Sequence, residues 1–214
     1  MIDRSKIGTE AMIRYVAEHT PQPSPLLADL TRETQELMAM PDMQLGHVEA
    51  TFLRILLEMT GGKRVLEIGT FTGYTSLVLA QGLPEDGEVI TCDIDAEATT
   101  LAQKYWAKSP HGHKIQLRLG PALDTISTLE GAIDFAFIDA DKVGYIDYWE
   151  AVVPMVRPGG IIAVDNVLWQ GRVLDPHSES DHAMVNFNKH VVQDKRVDPV
   201  LVAVRDGITI ARKK

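Results

Sequence analysis

Residues 64–76 read Arg-Val-Leu-Glu-Ile-Gly-Thr-Phe-Thr-Gly-Tyr-Thr-Ser, an apolar run that ends at Gly69 and is followed by helical periodicity. This pattern predicts a strand, a tight loop and a helix. Gly69 and Gly73 give the loop backbone angles, and room for a close ligand, that a Cβ atom would obstruct. The segment therefore predicts a ligand-binding loop after the first strand of a parallel sheet.

Glu67 lies just before this loop and indicates what the loop accepts. The dinucleotide-binding pattern G-x-G-x-x-G places a pyrophosphate at a helix N-terminus, whereas the glycines here are spaced G-x-x-x-G. A carboxylate at this position would repel phosphate. It would suit a cationic amino group, such as the amino-acid end of S-adenosylmethionine. The alternative is that Glu67 only caps the loop.

From residue 64 onward, strand-like segments alternate with helical ones, which predicts an α/β, doubly wound and mostly parallel sheet. The Asp-Gly pair at 206–207 is a strong hairpin signal, so the last two of the seven strands should be antiparallel. The predicted strands lie near 64–68, 88–92, 115–119, 133–138, 160–164, 200–204 and 208–212. The predicted helices lie near 74–81, 96–107, 121–128, 145–156 and 180–193.

The residues before the sheet are expected to form cap helices. Apolar residues recur at helical spacing over 8–19, 26–40 and 47–59. These helices either cover the active site or form a dimer surface, because periodicity does not identify the partner of an apolar face. The linker 40–46 is the part expected to reach a cofactor. We expect one domain over 1–214, with the cap helices over 1–62 and a Rossmann-like core over 63–214.

Charge and composition narrow the class of protein. The 214 residues carry 21 Lys and Arg against 30 Asp and Glu, a net charge of −9, which disfavours a nucleic-acid partner. Residues 1–6 lack the apolar core of a signal peptide, and no stretch approaches the roughly 18 apolar residues of a membrane span. We therefore expect a cytoplasmic protein without a membrane partner. The single cysteine, Cys92, has no predicted catalytic role.

Candidate cofactor residues follow the second and third strands. Asp93 lies about two dozen residues beyond Gly69, where an acid in such folds accepts hydrogen bonds from ribose hydroxyls. Asp95 is the other candidate for this contact with ribose, and either acid could instead only cap the next helix. The small residues Gly120-Pro-Ala122 after the third strand would leave room for an adenine ring.

Two further strands end in oxygen-bearing side chains, Asp139 on one and Asp165 with Asn166 on the other. The carboxyl ends of parallel strands converge on the ligand crevice, so these three residues can approach one another. Three hard oxygen ligands, with no His or Cys, favour Mg²⁺, Mn²⁺ or Ca²⁺ over Zn²⁺. The alternative is that each side chain only caps the next element.

Four strings taken together resemble the cation-dependent O-methyltransferases of the caffeoyl-CoA and catechol type, with the caffeoyl-CoA branch nearer. They are LEIGTFTGY at 66–74, FIDADK at 137–142, RPGG at 157–160 and VDNVLWQGRV at 164–173. The similarity covers most of the chain from about Met43 onward. It implies a class I methyltransferase fold, S-adenosylmethionine as cofactor, a metal chelated by the vicinal hydroxyls of a phenolic substrate, and a homodimer.

The resemblance also implies roles for individual residues. It assigns metal binding to Asp139, Asp165 and Asn166, and catalysis to Lys142, at the general base of the catechol enzymes, together with Asp139. Cofactor contacts are expected from Met43, Leu45, Glu67, Gly69, Thr70, Phe71, Thr75, Asp93, Ile94, Pro121, Ala122, Asp139 and Asp141. Substrate contacts are expected from Met43, Lys142, Asn166 and Trp169.

Some alternatives stay open. Trp169 either forms an aromatic wall against a phenol ring or packs as plain core. The third helix reads His47-Val-Glu-Ala-Thr-Phe52, where the family more often has Glu-Gly-Gln-Phe, and residues 173–182 lie where the family varies its acceptor-recognition segment.

The expected function is metal-dependent O-methylation of one hydroxyl of a vicinal diphenol, either catechol-like or hydroxycinnamoyl. One alternative is a cofactor-binding or regulatory protein with weak catalysis. Another is an NAD-dependent dehydrogenase, which the missing third glycine disfavours.

Overall fold

A seven-stranded sheet forms the centre of residues 9–214, the part of the chain that the computed structural model describes. The spatial order is β3-β2-β1-β4-β5-β7-β6. The strands are β1 Arg64–Ile68, β2 Glu88–Asp93, β3 Ile115–Leu119, β4 Ile133–Ile138, β5 Val156–Val164, β6 Val197–Val202 and β7 Ile208–Lys213. Because the chain reverses its direction of winding between β1 and β4, the ligand crevice of such a sheet lies at the carboxyl ends of these two strands.

Helices cover both faces of the sheet. They are α1 Glu10–Glu18, α2 Pro25–Leu37, α3 His47–Thr60, α4 Tyr74–Gly82, α5 Ala96–Trp106, α6 Ala122–Thr128, α7 Tyr145–Val152 and α8 Glu179–Gln193. Successive residues of β1 point to opposite faces: Val65 packs in the cluster that includes α2 to α5, and Leu66 in the cluster that includes α6 to α8. The predicted alternation of strand and helix therefore produces two apolar cores, one on each face.

The C-terminal part of the sheet is antiparallel, as the Asp-Gly signal predicts. β7 runs antiparallel to both β5 and β6, while β1 to β5 pair with one another in parallel. β6 begins at Val197, three residues before its predicted start near 200, and it contains Pro199. A proline is tolerated there because β6 is the edge strand and one side of it needs no ladder donor.

Three predicted boundaries were wrong. The helix predicted over 26–40 ends at Leu37, where Met38 turns to an extended conformation. The helix predicted over 145–156 ends at Val152, and β5 begins at Val156 rather than near 160, since Val156 pairs with Ile133 across a register shift. The predicted start of the first helix, residue 8, lies outside the described residues.

The cap helices make different contacts. α2 buries Leu27, Leu30 and Thr34, and the Thr34 hydroxyl donates to Thr72 Oγ1 at 3.0 Å, so α2 covers the loop that follows β1. α1 buries none of its residues. α2 therefore takes the covering role, and the partner of the exposed face of α1 stays a prediction. Within residues 9–214, no helix combines the length and the apolar character needed to cross a membrane.

Candidate active site

The loop after β1 is shaped by the close approach of β4. Gly69 has a φ of 102°, and a Cβ atom there would lie 1.9 Å from the backbone oxygen of Asp139. Gly73 caps α4 with a φ of 77°, and its carbonyl accepts a hydrogen bond from the Trp106 indole at 3.0 Å. The immediate reason for glycine at 69 is therefore contact with the end of β4, which brings the two loops that border the crevice together.

Glu67 is fully buried beneath this loop. Its Oε2 accepts hydrogen bonds from the hydroxyls of Ser76 and Thr91, while Oε1 has no partner within residues 9–214. Burial raises the pKa of Glu67 to about 8, and the nearby charges of Asp93 and Asp139 act in the same direction. Glu67 does not cap the loop, because none of its hydrogen bonds goes to a loop backbone amide. Its contact with a cofactor stays a prediction.

The raised pKa makes the stability of the fold depend on pH. Between about pH 4.5 and 8 the folded state holds a proton on Glu67 that the unfolded state has released, so stability falls as pH rises through this window. Glu67→Gln keeps an acceptor for Ser76 and Thr91 and removes this dependence. We expect the variant to gain stability over the parent protein between pH 5 and pH 8, by on the order of a few kcal/mol. Urea unfolding at the two pH values measures this gain.

The matched control is Glu18→Gln at the exposed end of α1. A control that shows the same gain, or a Glu67→Gln difference that does not change with pH, would contradict the assignment of this proton to Glu67.

Asp93 and Asp95 make different contacts, and only the capping role is visible in the described residues. Asp93 Oδ2 accepts hydrogen bonds from the backbone amides of Thr70 at 2.9 Å and Phe71 at 2.6 Å. Asp95 caps α5, accepting from the amides of residues 97 and 98. Asp93 therefore holds the loop after β1 instead of capping a helix. Contact of Asp93 with ribose hydroxyls stays a prediction, as does contact from its neighbour Ile94, which is exposed.

The remaining predicted cofactor residues border the same crevice. Pro121 caps α6 and Ala122 opens that helix, just after Gly120, whose amide donates to the Asp93 carbonyl at 2.8 Å. Asp141 caps the turn after β4, accepting from the Gly144 amide at 3.0 Å. Of the others, Thr75 and Leu45 are buried, whereas Met43 is half exposed on the linker after α2.

Asp139, Asp165 and Asn166 follow the ends of β4 and β5, and a single ammonium group links two of them. Lys142 Nζ donates to Asp139 Oδ1 at 3.0 Å and to Asn166 Oδ1 at 2.8 Å. It also donates to the Tyr145 hydroxyl at 2.6 Å, and this hydroxyl donates to the backbone oxygen of Asp165 at 3.1 Å. Four of the residues singled out from the sequence therefore lie in one cluster.

Asp165 is the residue in this cluster whose environment most favours a cation. Its side chain is 2% exposed, and Oδ1 is buried with no hydrogen-bond partner in the described chain. Burial raises its pKa well above the ordinary value, and the carboxylates of Asp139 and Glu49 raise it further. Two carboxylates and an amide oxygen form a hard donor set, which fits Mg²⁺, Mn²⁺ or Ca²⁺.

Trp169 lies beside this cluster on the segment after β5. Its ring centre is 5.6 Å from Lys142 Nζ and 5.3 Å from the Arg172 guanidinium carbon. The indole donates to Asp181 Oδ1 at 2.9 Å, and Asp181 also accepts from the amides of His177 and Ser178. Trp169 is half-buried and packs against the core on one face of the sheet, so its role as an aromatic wall stays a prediction. The last residues of the predicted variable loop 173–182 belong to α8.

Sequence reasoning missed an ion pair near this cluster. Arg205, in the turn before β7, donates from Nη1 to Glu49 Oε2 at 2.8 Å. Glu49 is 2% exposed, and burial raises its pKa above the ordinary value although Arg205 opposes the shift. A signal was available: Glu49, Leu53 and Leu57 repeat every four residues, so this carboxylate lies on the buried stripe of α3 and needs a partner.

Comparison with known proteins gives consistent matches. The sequence model of a family described as O-methyltransferase matches residues 17–214. A probable caffeoyl-CoA O-methyltransferase of Dictyostelium discoideum is 36% identical over 211 residues, covering 95% of this chain and 91% of that protein.

Two solved structures have the same fold. The O-methyltransferase from Bacillus cereus in complex with SAH superposes with a TM-score of 0.88 at 26% identity, covering 95% of this chain and 97% of that one. The O-methyltransferase TomG from Streptomyces achromogenes, in complex with SAM, has a TM-score of 0.88 at 25% identity and covers both chains fully, 100% of each. The predicted class I methyltransferase fold is confirmed by these superpositions.

Proposed function

The chain belongs to the O-methyltransferase family, as its motifs predict, and from this premise we propose that it methylates one hydroxyl of a vicinal diphenol with the help of a bound divalent cation. It is an S-adenosylmethionine-dependent O-methyltransferase; the acceptor and the cation are the proposal. The observation that carries the proposal is the buried, unpartnered oxygen of Asp165 beside Asp139, Asn166 and Lys142. The family membership leaves no support for the dehydrogenase alternative.

The reaction sets a requirement on the acceptor. Methyl transfer from a sulfonium to an oxygen is an in-line displacement, so the acceptor must be close to a phenolate and held about 3 Å from the methyl carbon. A free phenol has a pKa of about 10 and is mostly neutral at pH 7. The site must therefore stabilise a negative oxygen and remove a proton.

Asp139, Asp165 and Asn166 would hold the cation. A divalent cation bound there supplies positive charge that stabilises the phenolate and chelates the second hydroxyl, which selects one oxygen for attack. The three residues contribute two negative charges and one neutral oxygen, and this set leaves room for ligands from the acceptor.

Lys142 would remove the proton as a neutral amine, after its ammonium has released one proton to solvent. Its Nζ shares acceptors with the proposed cation, since both use the oxygens of Asp139 and Asn166. Where Asp139 and Asn166 hold a cation, Lys142 would lose two of its three hydrogen-bond acceptors. Tyr145 would then retain Lys142 at the site through the third, 2.6 Å contact. Trp169 would form the wall against which the phenol ring packs.

The cofactor would lie across the loops after β1, β2 and β4. Glu67 is proposed to face its amino group and Asp93 its ribose, with Ala122 beside the adenine. The unpartnered Oε1 of Glu67 supports the first contact, because a buried carboxylate oxygen without a donor favours a cationic ligand.

The proposed acceptor class can be tested with a panel of phenols. We expect one added methyl group, detected by mass spectrometry, on catechol-like and hydroxycinnamoyl diphenols in the presence of Mg²⁺. Matched monophenols, which cannot chelate, should give little or no product. Equal methylation of the monophenols would contradict the acceptor class. Cofactor binding without any product would favour the alternative of a binding or regulatory protein.

We also propose that the chain forms a homodimer through α1. This helix presents Met12, Ile13, Tyr15 and Val16 to solvent, and an apolar face of this kind is normally covered. Sedimentation velocity would test this by the mass of the particle, and a monomer at micromolar concentration would contradict it.

A further inference from the structure

The turn between β6 and β7 holds an arginine in an unfavourable backbone conformation. Arg205 has a φ of 48°, in the left-handed region that long side chains rarely adopt. Such strain persists where the surrounding structure imposes it, and it occurs preferentially at ligand sites. The next residue, Asp206, holds the turn in place. Its carbonyl accepts a hydrogen bond from the Leu168 amide, and its side chain accepts one from the Gln170 amide. Arg205 is thereby anchored to the segment that carries Trp169.

The guanidinium of Arg205 is only partly used by the protein. Nη1 donates to Glu49 Oε2 at 2.8 Å, and within residues 9–214 neither Nε nor Nη2 has a hydrogen-bond partner. These two N–H groups form one of the two edges with which a guanidinium binds a carboxylate in bidentate fashion. The side chain is 50% exposed, so this edge is accessible. Glu49 therefore orients the guanidinium through one nitrogen and leaves a complete binding edge free.

A cavity of about 410 Å³ lies beside Arg205, between α2 and the linker that follows it. Its wall includes Thr31, Gln44, Leu45 and Tyr74. Arg205 is the only lysine or arginine in this wall, as far as the described residues show. The Oε1 atom of Gln44 is buried without a partner, so the cavity also offers an acceptor to a ligand with an N–H or O–H group. A volume of this size suits a small-molecule group.

The cavity adjoins the proposed methyl-transfer site on two sides. Leu45 is among the residues predicted to contact the cofactor, and Tyr74 follows directly on the loop after β1. Burial lowers the pKa of Arg205, but the pairing with Glu49 and the charges of Asp165 and Asp139 outweigh this and raise it, so the side chain stays cationic.

We propose that Arg205 binds a carboxylate group of a ligand in this cavity through its free Nε and Nη2 edge. This inference rests on the proposed function, and the carboxylate has two possible sources. It belongs either to the side chain of an acidic diphenol or to the amino-acid end of the cofactor. The alternative is that Arg205 and Glu49 form a purely structural ion pair that links α3 to the β6–β7 turn.

Two ligand pairs distinguish the sources, since the members of each pair differ in the carboxylate. 3,4-Dihydroxybenzoate and 4-methylcatechol are compared by kcat/KM in the presence of Mg²⁺. S-adenosylhomocysteine and 5′-methylthioadenosine, which lacks the amino-acid end, are compared by calorimetric affinity. For each pair we take the ratio of the value for the ligand with the carboxylate to the value for the ligand without it, using kcat/KM for the diphenols and affinity for the cofactor analogues. In Arg205→Gln we expect this ratio to fall at least tenfold for one pair, as for loss of a charged hydrogen-bonding pair. The pair that responds identifies the source.

Removing Arg205 alone leaves Glu49 as a buried, unpaired charge, which could destabilise the fold. The double variant Glu49→Gln with Arg205→Gln avoids this and should show the same loss in the ratio. Arg205→Lys should restore only part of it, because an ammonium cannot bind in bidentate fashion. The matched control is Arg32→Gln, which removes an exposed arginine of α2 that pairs with Asp29 and Glu36.

Ratios for both ligand pairs that stay within twofold of the parent protein would overturn the proposal and leave the structural ion pair. Failure of the proposed function has a different signature, since the parent protein itself would then methylate neither diphenol. The affinities for the two cofactor analogues would still decide whether Arg205 binds the cofactor carboxylate.

Discussion

Asp165→Asn is expected to lower kcat with a diphenol acceptor by about 10³-fold while raising the melting temperature of the protein without added metal. The loss of kcat follows from the charge of the proposed cation site. The substitution would leave one carboxylate instead of two to hold the cation, and several kcal/mol of phenolate stabilisation depend on that cation. The gain in stability follows from burial. Asp165 is 2% exposed, its Oδ1 has no partner within the described residues, and Asp139 and Glu49 lie near enough to repel it.

Activity and stability therefore move in opposite directions at this position, which a purely structural residue would not show. Thermal unfolding in the presence of a chelator and steady-state kinetics with Mg²⁺ measure the two effects. Asp198→Asn on β6 serves as the control, since that side chain is 63% exposed and forms an exposed ion pair with Lys214. Unchanged kcat in Asp165→Asn, or a lower melting temperature, would contradict the role of this carboxylate.

Lys142→Ala is expected to lower kcat by about 10²- to 10⁴-fold, the range contributed by a positioned general base, with little change in cofactor affinity. Lys142 contacts Asp139, Asn166 and Tyr145 together, and its ammonium lies over the ring of Trp169, the proposed wall for the phenol. Among the residues of this cluster, Lys142 is the nitrogen base that can accept the proton of the phenol.

Steady-state kinetics and cofactor titration separate the two effects. Lys142→Met keeps the apolar stem and tests the charge and the proton transfer alone, while Lys189→Ala on the exposed side of α8 is the control. An unchanged kcat at neutral pH in both Lys142 variants would remove the general-base assignment and leave Lys142 as a partner of the carboxylates.

The central sheet was predictable because its signals are local. β1, β3 and β4 begin and end where their apolar runs do, and the Asp-Gly turn predicts the reversal of the last strand. The start of β5 was not predictable, since Val156 becomes a strand residue by pairing with Ile133, more than twenty positions away. Gly159 and Gly160 led to a predicted start near 160, because glycines weaken the interior of a strand and usually mark its end.

The candidate site was predictable to the extent that its residues follow strands. Asp139, Asp165 and Asn166 come together because parallel strands end at the same edge of the sheet, and this rule requires no knowledge of side-chain contacts. The pairing of Glu49 with Arg205 joins two elements 156 residues apart, so neither periodicity nor spacing identifies it. The different contacts of Asp93 and Asp95 also needed the structure, because both precede the same helix.

The most direct test of the account is methyl transfer with and without a chelator. The purified protein is incubated with S-adenosylmethionine and a diphenol, with Mg²⁺ in one series and an excess of chelator in the other, and the products are analysed by mass spectrometry. We predict one added methyl group with Mg²⁺ and none with the chelator, with recovery when Mg²⁺ is returned in excess. Methylation that continues at the same rate under chelation would contradict the cation site and leave an O-methyltransferase with a different mechanism.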